Sequence, residues 1–452
     1  MKIALFVHCF LPNHFYGTET YTLNLATNLR QMGHDAIVVT ANFPWETNKE
    51  EEVFFYEYKG VPVYCINKNH FPYTSIKDLY YQPQIRDLLR QLLLEIKPDL
   101  VHVTHIINHT GVLLELTQEL HIPAVATLTD FFGICYNAQL RSANGALCRG
   151  PNRLRTNCIA CRLKEEATYP GASRNERWMG KYPLSLVSAV WKKGLFNLFR
   201  CRTGKSADLV SSISDMPDVM RQCYSAYKTV IAPTCFLRDA YLANGLNVPV
   251  HLSHFGVDSP RLPKQSKGGR SLIRFAYIGQ IAPYKGIDVL IQAFSRLPED
   301  SAEVLIFGKE SQIPDYTEKL KRMSNGHRIY FRGTFPPSEM DAVLAEIDFL
   351  VIPSKWYENS PLVLLNALAS HTPVVVSDVP GMTEFVEDGK NGYIFKRGNV
   401  TDLERTLRRI IREPEKARAL SLTTSYPRTT RMMVEDVVEI YENILSGKTI
   451  KK

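Results

Sequence analysis

The chain has 452 residues, of which 45% are apolar and 22% charged, and its formal net charge is +8. This length exceeds what one hydrophobic core supports and predicts two domains of about 200 residues each, while the composition excludes a disordered chain. No apolar run reaches the roughly 20 residues of a membrane-spanning helix. Pro12, Asn13 and His14 interrupt the first apolar segment too early for a secretory signal. We therefore expect a cytoplasmic protein.

Short apolar strands alternate with helical patterns in both halves of the chain, which is typical of parallel sheets covered by helices on both faces. In the first half we predict strands at residues 3–7, 36–40, 61–66, 100–104, 124–128, 209–212 and 230–232. In the second half we predict strands at residues 274–278, 303–307, 329–331, 349–352, 373–377 and 393–395. Each half is therefore predicted to be a Rossmann-like domain, whose ligands bind at the carboxyl ends of the strands.

A polar stretch between the two series of strands, residues 260–270, is rich in proline and glycine, as interdomain linkers are. We therefore predict domain boundaries on either side of it. The predicted parts are an N-terminal domain over residues 1–258 with a cysteine-rich insertion at about 131–206, a C-terminal domain over 271–425, and a final segment over 426–452.

Two loops of the first half carry residues suited to ligand binding. Gly17 precedes an amphipathic helix, where a glycine lets the backbone approach a phosphate. Asp130 follows the strand at 124–128, and a carboxylate there orients a hydroxyl or stabilises positive charge. The alternative for Asp130 is a loop aspartate that bonds to its own backbone.

Four of the nine cysteines fall close together in the sequence and end in a Cys-x-x-Cys pair. They are Cys135, Cys148, Cys158 and Cys161. Disulfides are disfavoured in a chain without a secretory signal, and four thiolates suit a tetrahedral structural zinc. An iron–sulfur cluster and free or redox-active thiols are the alternatives. We interpret His102, His105 and His109, near the end of one strand, as structural residues rather than metal ligands.

A basic stretch from Arg149 to Lys205 contains thirteen Lys or Arg residues and only three Glu. This charge suits nucleic acid, anionic lipid headgroups or a diphosphate-linked ligand equally. Within it, apolar residues recur at helical spacing from Leu184 to Leu198, beside several cations. This pattern fits a helix in a membrane interface, and it also fits a helix packed on the first domain with a solvated basic face.

A glycine turn follows the strand at 274–278 and leads through Gly279, Gln280, Lys285 and Gly286 into an apolar-periodic helix. Backbone amides and one ammonium group at such a turn offset the charge of a pyrophosphate. Lys285 is therefore our first candidate for stabilising a departing phosphate, and a solvated loop lysine is the alternative.

The segment from Trp356 to Phe395 is the most informative in the chain. Glu358 precedes Ser360 and Pro361, which we interpret as the N-cap and first residue of a helix. The predicted arrangement places a carboxylate beside free backbone amides at one helix N-terminus. The amides are those of Asn359, Ser360, Leu362 and Val363.

This segment resembles the donor-binding signature of retaining glycosyltransferases of family four, in which two glutamates separated by seven residues flank a short helix. Glu358 occupies the first of these positions and Asn366 the second. The resemblance covers nearly the whole chain and implies the GT-B fold, an α/β architecture of two Rossmann-like domains with parallel sheets that face an interdomain cleft. It also implies that the last helices return to the first domain.

The resemblance assigns roles to further residues. It implies that Glu358 binds donor-sugar hydroxyls, that the position of Asn366 binds the ribose, and that the loop at Gly333 and Thr334 lies beside the base. The family usually has arginine at the position of Gln280 and histidine at that of Thr129, so this chain lacks two usual contacts.

We therefore predict a retaining glycosyltransferase that moves a sugar from a nucleoside-diphosphate sugar to a glycan or polyprenyl-diphosphate-linked glycan in surface-polysaccharide biosynthesis. We expect catalysis to require no cofactor, and we expect contact with the inner face of the cell membrane. The alternatives are a GT-B nucleotide-sugar epimerase and a non-catalytic zinc-containing binding protein. No nucleic-acid partner is expected, because the sequence contains no RNA- or DNA-binding module signature.

Overall fold

The computed structural model describes residues 1–43, 46, 49–168, 204–258, 272–298, 300 and 302–448. The chain divides into two compact units, of which the first comprises residues 1–253 with residues from 434 onward and the second comprises residues 254–433. Each unit contains a largely parallel sheet with helices, which confirms the predicted pair of Rossmann-like domains. The predicted linker at 260–270, the helical pattern at 184–198 and most of the basic stretch lie outside the described residues.

The first unit contains an eight-stranded sheet in the order β3-β4-β2-β1-β5-β6-β7-β8. Its strands are β1 (Lys2–Phe6), β2 (Asp35–Asn42), β3 (Val53–Tyr58), β4 (Val61–Asn67), β5 (Leu100–Val103), β6 (Ala124–Thr127), β7 (Thr229–Ala232) and β8 (Val250–Leu252). Every neighbouring pair is parallel except β3 and β4. The two outer strands β3 and β8 were not predicted from the sequence.

The helices described in the first unit are α1 (Gly17–Gln31), α2 (Arg86–Ile96), α3 (Thr110–Glu119), α4 (Thr156–Thr168), α5 (Gly204–Tyr224) and α6 (Cys235–Ala243), with 3-10 turns at Ile76–Leu79 and Pro83–Ile85. The strand predicted at 209–212 is wrong, because these residues lie inside α5. Val210, Ile213, Met216 and Met220 are buried at spacings of three to four, so they form one face of a helix. Leu209 and Val210 alone were too short an apolar run to reveal this period.

The second unit contains a six-stranded, entirely parallel sheet in the order β11-β10-β9-β12-β13-β14. Its strands are β9 (Ile273–Ile278), β10 (Ala302–Phe307), β11 (Ile329–Gly333), β12 (Phe349–Ile352), β13 (Val374–Ser377) and β14 (Gly392–Phe395). Its described helices are α7 (Ile287–Phe294), α8 (Pro314–Ser324), α9 (Met340–Glu346), α10 (Leu362–Ala369), α11 (Val400–Arg412) and α12 (Pro414–Thr423), with 3-10 turns at Pro283–Lys285, Glu310–Gln312 and Pro337–Glu339.

A final helix, α13 (Thr430–Leu445), begins in the second unit and continues into the first from Val434 onward. In the first unit its Tyr441 is fully buried, and the phenol lies 2.5 Å from Nδ1 of His102 on β5. None of the helices within the described ranges is long and apolar enough to cross a bilayer.

The strand registers align the carboxyl ends of neighbouring strands within each unit. In the first unit Phe6 pairs with Val103, and Val103 pairs with Ala126. In the second unit Ile278 pairs with Phe307, and Ile352 pairs with Val376. Loops that are far apart in sequence therefore meet at one edge of each sheet, which we call the carboxyl edge of that unit.

Candidate functional site

Glycines form the start of the carboxyl edge of the second unit. Gly279 has a φ of +154°, and a Cβ on Gly308 would lie only 2.3 Å from the carbonyl oxygen of Gly279. Gly333 has a φ of +66° and no heavy atom within 4 Å of the position that its Cβ would occupy. The loops that carry Gly279 and Gly308 are thus in backbone contact, and the loop at Gly333 leaves open space beside its backbone. This surface suits a ligand that is bound by main-chain groups.

Lys285 and Glu358, both predicted from the sequence, are brought together at this edge. The ammonium Nζ of Lys285 donates to Oε1 of Glu358 at 2.8 Å and lies 4.9 Å from the centre of the Trp356 ring. The side chains are 18% and 6% exposed, respectively. The ammonium group of Lys285 is therefore still accessible to solvent, whereas the carboxylate of Glu358 that it contacts is almost completely buried.

Two further donors hold the same oxygen of Glu358. Trp356 Nε1 donates to Oε1 at 2.9 Å, and the hydroxyl of Ser354 also donates to it. Ser354 is itself held because its carbonyl accepts a hydrogen bond from Ser377 at 2.7 Å. Three donors fix the position of the carboxylate before any ligand binds, which lowers the entropic cost of using it.

The loops that carry Lys285 and Glu358 require glycine at two positions. Gly286 has a φ of +76°, and its Cβ would lie 1.9 Å from the carbonyl oxygen of Pro353. Gly381 has a φ of +87°, and its Cβ would lie 1.9 Å from the carbonyl oxygen of Glu358. Any side chain at either position would displace the backbone that positions the ion pair.

The predicted helix start at Ser360 and Pro361 is wrong by one residue. Helix α10 begins at Leu362, and Pro361 is its N-cap residue, with a φ of −63° and a ψ of 120°. Ser360 instead adopts a left-handed conformation with a φ of +53°, so its hydroxyl is not placed to cap the helix. That hydroxyl is buried and has no hydrogen-bond partner among the described residues.

The remaining predicted residues of the second unit differ in burial. Gln280 is half-buried, and its Oε1 accepts a hydrogen bond from the hydroxyl of Tyr284 at 2.8 Å. Asn359 and Asn366 are half-buried, the first beside Glu358 and the second on α10. Thr334 is exposed in the loop after β11.

Sequence reasoning did not assign a role to Ser354, Trp356 or Gly381. Ser354 follows β12 closely. It could have been predicted as a site residue, because ligands bind at the carboxyl ends of parallel strands. Trp356 lies within the informative segment, but nothing in its spacing indicates a bond to Glu358. The contact of Gly381 with Glu358 joins two loops, and one sequence does not reveal such a contact.

In the first unit, Gly17 and Asp130 both lie at the carboxyl edge. Gly17 is the exposed first residue of α1. Asp130 follows β6, and its carboxylate accepts a hydrogen bond from Nε2 of His105 at 2.7 Å and one from the backbone N–H of Phe132 at 2.8 Å. The hydrogen bond from the Phe132 N–H fits the alternative of a loop aspartate that bonds to its own backbone. The hydrogen bond from His105 is different, because that residue follows another strand, β5.

The four clustered cysteines lie in the loop after β6 and on α4. Burial raises the pKa of Cys135 to about 12 and also raises the pKa of Cys158 and Cys161. Backbone N–H groups donate to two of the sulfurs, from Ala143 to Cys161 at 3.1 Å and from Gly150 to Cys148 at 3.4 Å.

Among the residues that the structure describes, no group of three or more His, Cys, Asp or Glu side chains is arranged to hold a metal ion. The zinc site stays a prediction, which the zinc and iron content of protein purified without chelator would test.

Two segments of the chain match family models. Residues 260–424 match "Glycosyl transferases group 1", and residues 15–146 match "Glycosyltransferase Family 4". Lys285 and Glu358 lie in the first segment, and Gly17 and Asp130 lie in the second. The prediction that the chain carries glycosyltransferase domains is confirmed.

Relatives of known function match part of the chain. It is 25% identical over 218 residues to sulfoquinovosyl transferase SQD2 of Arabidopsis thaliana, which covers 45% of this chain and 41% of that protein. It is 35% identical over 127 residues to D-inositol 3-phosphate glycosyltransferase of Corynebacterium glutamicum, which covers 26% of this chain and 30% of that protein. The chain thus spans less than half the length of these relatives.

Solved structures match almost the whole chain. HepE of Anabaena, solved in complex with UDP and glucose, has a TM-score of 0.62 and 17% identity, and the match covers 98% of this chain and 100% of that chain. This similarity shows the fold alone, and it confirms the GT-B fold that was predicted from the sequence.

Proposed function

We propose that this protein is a retaining glycosyltransferase that moves a sugar from a nucleoside-diphosphate sugar to a hydroxyl of a glycan or lipid-linked glycan. The observation that carries the proposal is the Lys285–Glu358 pair, held at the carboxyl edge of a parallel sheet beside exposed glycine backbone. The segment that contains the pair matches a glycosyltransferase model.

The two residues perform different tasks in the proposed reaction. As the bond between the sugar and the diphosphate breaks, negative charge grows on the departing phosphate, and the ammonium of Lys285 offsets it. Glu358 accepts hydrogen bonds from sugar hydroxyls and holds the sugar beside the breaking bond. The backbone amides at the start of α10 add positive partial charge for the diphosphate.

Retention of the anomeric configuration is part of the proposal, supported by the match of residues 15–146 to Family 4. In the proposed reaction the acceptor hydroxyl attacks the sugar from the same face that the diphosphate leaves. The departing phosphate oxygen takes the proton of that hydroxyl. Such a reaction needs no separate base, and Lys285 supplies the charge that a metal ion supplies in other transferases. We therefore propose that catalysis needs no added cofactor.

We propose a uridine-diphosphate sugar as the first donor to test, because HepE of Anabaena was solved with UDP and glucose. For the acceptor we propose a surface glycan or a polyprenyl-diphosphate-linked glycan at the inner membrane face. The net excess of ten positive charges between residues 149 and 205 supports an anionic, membrane-bound acceptor.

The test is to incubate the protein with a panel of nucleotide sugars, with and without EDTA, and to follow the products by mass spectrometry. We expect slow hydrolysis of at least one donor, faster consumption with an acceptor, and no loss of rate with EDTA. Nuclear magnetic resonance of the product should show the anomeric configuration of the donor.

Two results would contradict the proposal. A donor converted to an isomeric nucleotide sugar without release of the nucleotide would identify an epimerase instead. If no donor of the panel binds or reacts, the protein is a non-catalytic binding protein.

A further inference from the structure

We propose that His105 is a positioning residue, which orients the Asp130 carboxylate to bind a neutral sugar hydroxyl at the carboxyl edge of the first unit. The inference rests on the proposed glycosyltransferase function and adds a residue to it that neither the sequence nor the family matches assign. The observation that carries it is the pair of hydrogen bonds made by the two nitrogens of one imidazole.

These hydrogen bonds fix where the imidazole carries its proton. The backbone N–H of Ile107 donates to Nδ1 of His105 at 3.2 Å, so Nδ1 must be unprotonated. The proton of the neutral ring then lies on Nε2, which donates to Oδ2 of Asp130 at 2.7 Å. The loop after β5 thus selects the tautomer that directs an N–H at Asp130.

Asp130 is held from several sides yet stays open to a ligand. Its Oδ1 accepts from the N–H of Phe132 at 2.8 Å, and the hydroxyl of Tyr241 donates to its backbone carbonyl at 3.1 Å. The backbone N–H of Gly133 donates to the same hydroxyl at 3.1 Å, which ties the next turn to Tyr241. The Asp130 side chain remains 30% exposed, whereas that of His105 is 5% exposed. A ligand therefore contacts Asp130, and His105 acts through it.

The surroundings of the pair favour a hydroxyl over a phosphate. His8 packs against His105 with ring centres 4.2 Å apart and lies 3.5 Å from Glu19. Burial lowers the pKa of His8 well below its usual range, so this ring is uncharged near neutral pH. A carboxylate that is held by the Nε2–H of His105 rather than by a cationic side chain repels an anion and attracts the positive end of an O–H group.

Thr129 does not provide this orientation. Its hydroxyl donates to the backbone carbonyl of Thr104 at 2.9 Å and is turned back to β5. The resemblance to family four places a histidine at this position, directly before the aspartate. In this chain the imidazole beside Asp130 comes instead from the loop after the neighbouring strand, β5.

The test compares His105→Ala with His105→Gln in the full chain. The side-chain amide of glutamine places an N–H close to the position of Nε2, whereas alanine removes the donor. For each variant, kcat and KM are measured for donor hydrolysis in water and for transfer to the acceptor. We expect kcat/KM to fall at least about tenfold in His105→Ala and to stay within about threefold of wild type in His105→Gln.

The control is His102→Gln, which replaces a fully buried imidazole on β5 that bonds to Thr127 and Tyr441. It should lower the melting temperature without changing kcat/KM. A loss in His105→Ala that extends to hydrolysis assigns the hydroxyl to the donor sugar. A loss confined to transfer assigns it to the acceptor.

A double-mutant cycle tests whether His105 acts through Asp130. In an Asp130→Ala background, His105→Ala should cause no further loss. If His105→Ala does not fold, the conservative Asp130→Asn variant should still show the tenfold loss, because it removes the charge and keeps the size.

The inference is overturned if His105→Ala turns over like wild type, if His105→Gln is no better than His105→Ala, or if Asp130→Asn is fully active. Failure of the proposed function is a separate result, because wild-type protein would then turn over no donor at all.

Discussion

The carboxyl edges of the two units are built from the same kind of parallel sheet, but they carry different chemistry. In the second unit an ammonium, Lys285, sits on the buried carboxylate of Glu358 beside glycines that expose their backbone. In the first unit the imidazole of His105 holds the carboxylate of Asp130, and the Tyr241 hydroxyl donates to the Asp130 backbone carbonyl. The first arrangement provides positive charge, and the second provides an oriented acceptor of hydrogen bonds.

This difference matches the two demands of glycosyl transfer. A departing diphosphate develops negative charge and needs a fixed cation and amide groups. A sugar hydroxyl develops little charge and needs an acceptor in the right direction. The two edges are therefore suited to different duties, and a substitution at one edge should spare the duty of the other.

Removing the cation of the second unit should have the largest effect. Lys285→Ala leaves the departing phosphate without its ammonium partner, so we expect kcat/KM for a nucleotide-sugar donor to fall about a hundredfold. Steady-state kinetics measure the loss, and circular dichroism checks that the variant is folded.

A matched control for this variant is Lys390→Ala. Lys390 also pairs with a glutamate at 2.8 Å, but the pair with Glu387 is exposed and local in sequence. This variant should retain wild-type kinetics. Equal rates in wild type and Lys285→Ala would refute the role of the ion pair.

Disturbing the backbone behind Glu358 should have the next largest effect. Gly381→Ala places a Cβ 1.9 Å from the Glu358 carbonyl oxygen at a φ of +87°, so the loop must move. We expect about a tenfold loss in kcat/KM and a loss of about 2 kcal/mol in stability. Kinetics and thermal unfolding measure the two losses.

Gly389→Ala separates the collision from the conformational strain. Gly389 has a similar φ of +79°, but nothing lies within 4 Å of its Cβ position. We expect a small loss of stability from the left-handed conformation alone and unchanged kinetics. If the two alanine variants behave alike, the contact with Glu358 has no role in positioning.

The fold was largely predictable because buried parallel strands are short apolar runs bounded by turns, and the order of such runs indicates the domain type. The errors have physical reasons. The strand predicted at 209–212 contains only two apolar residues, Leu209 and Val210, and the buried Ile213 and Met216 complete a helical face with Val210. The edge strand β3 alternates exposed and half-buried residues, so its signal was weak.

The candidate site was predictable where a glycine turn or a helix start marks the residue, and not where two loops meet. Lys285 and Glu358 were identified from glycine turns and a helix start, although the helix begins later than expected because Ser360 has a positive φ. The contacts of Gly381 with Glu358 and of His105 with Asp130 join residues that are far apart in the sequence. Neither spacing nor composition of one sequence encodes such contacts.

Acid should destabilise the first unit through its buried histidines. Burial lowers the pKa of His102 to about 3 and that of His109 to about 4, so both rings are neutral in the folded protein near pH 5. The unfolded chain binds protons on both rings below about pH 6.5, so the stability that the neutral rings contribute is lost as the pH falls below that value. Each fully buried ring should lower the free energy of unfolding by up to about 2 kcal/mol as the pH falls from 6.5 to 5.

Calorimetry of wild type and His102→Gln at pH 7 and pH 5 measures this effect. The variant should be less stable than wild type at pH 7, because it loses the bonds of the ring, and its melting temperature should fall less on acidification. An identical fall in both proteins would show that His102 does not cause the acid sensitivity.

The smallest effect should come from adding a further cation near Lys285. The backbone of Gln280 is held by the hydroxyl of Tyr277, which donates to the Gln280 carbonyl at 2.7 Å, so a substitution leaves that bond in place. Gln280→Arg gives up the bond from Tyr284 to the side-chain oxygen and adds a guanidinium group near Lys285. We expect the donor to bind about threefold to tenfold more tightly at low salt, a gain that shrinks as ionic strength rises.

Gln280→Met serves as the control for this gain, since it also loses the Tyr284 bond but adds no charge. Tighter binding by Gln280→Arg than by Gln280→Met, measured by calorimetric titration, would show that the second unit attracts the donor through charge. Equal binding by the two variants would show that Lys285 and the backbone amides already neutralise the diphosphate. The same arginine should leave acceptor affinity unchanged if the first unit recognises only neutral hydroxyls, and a change in acceptor affinity would break the division between the two edges.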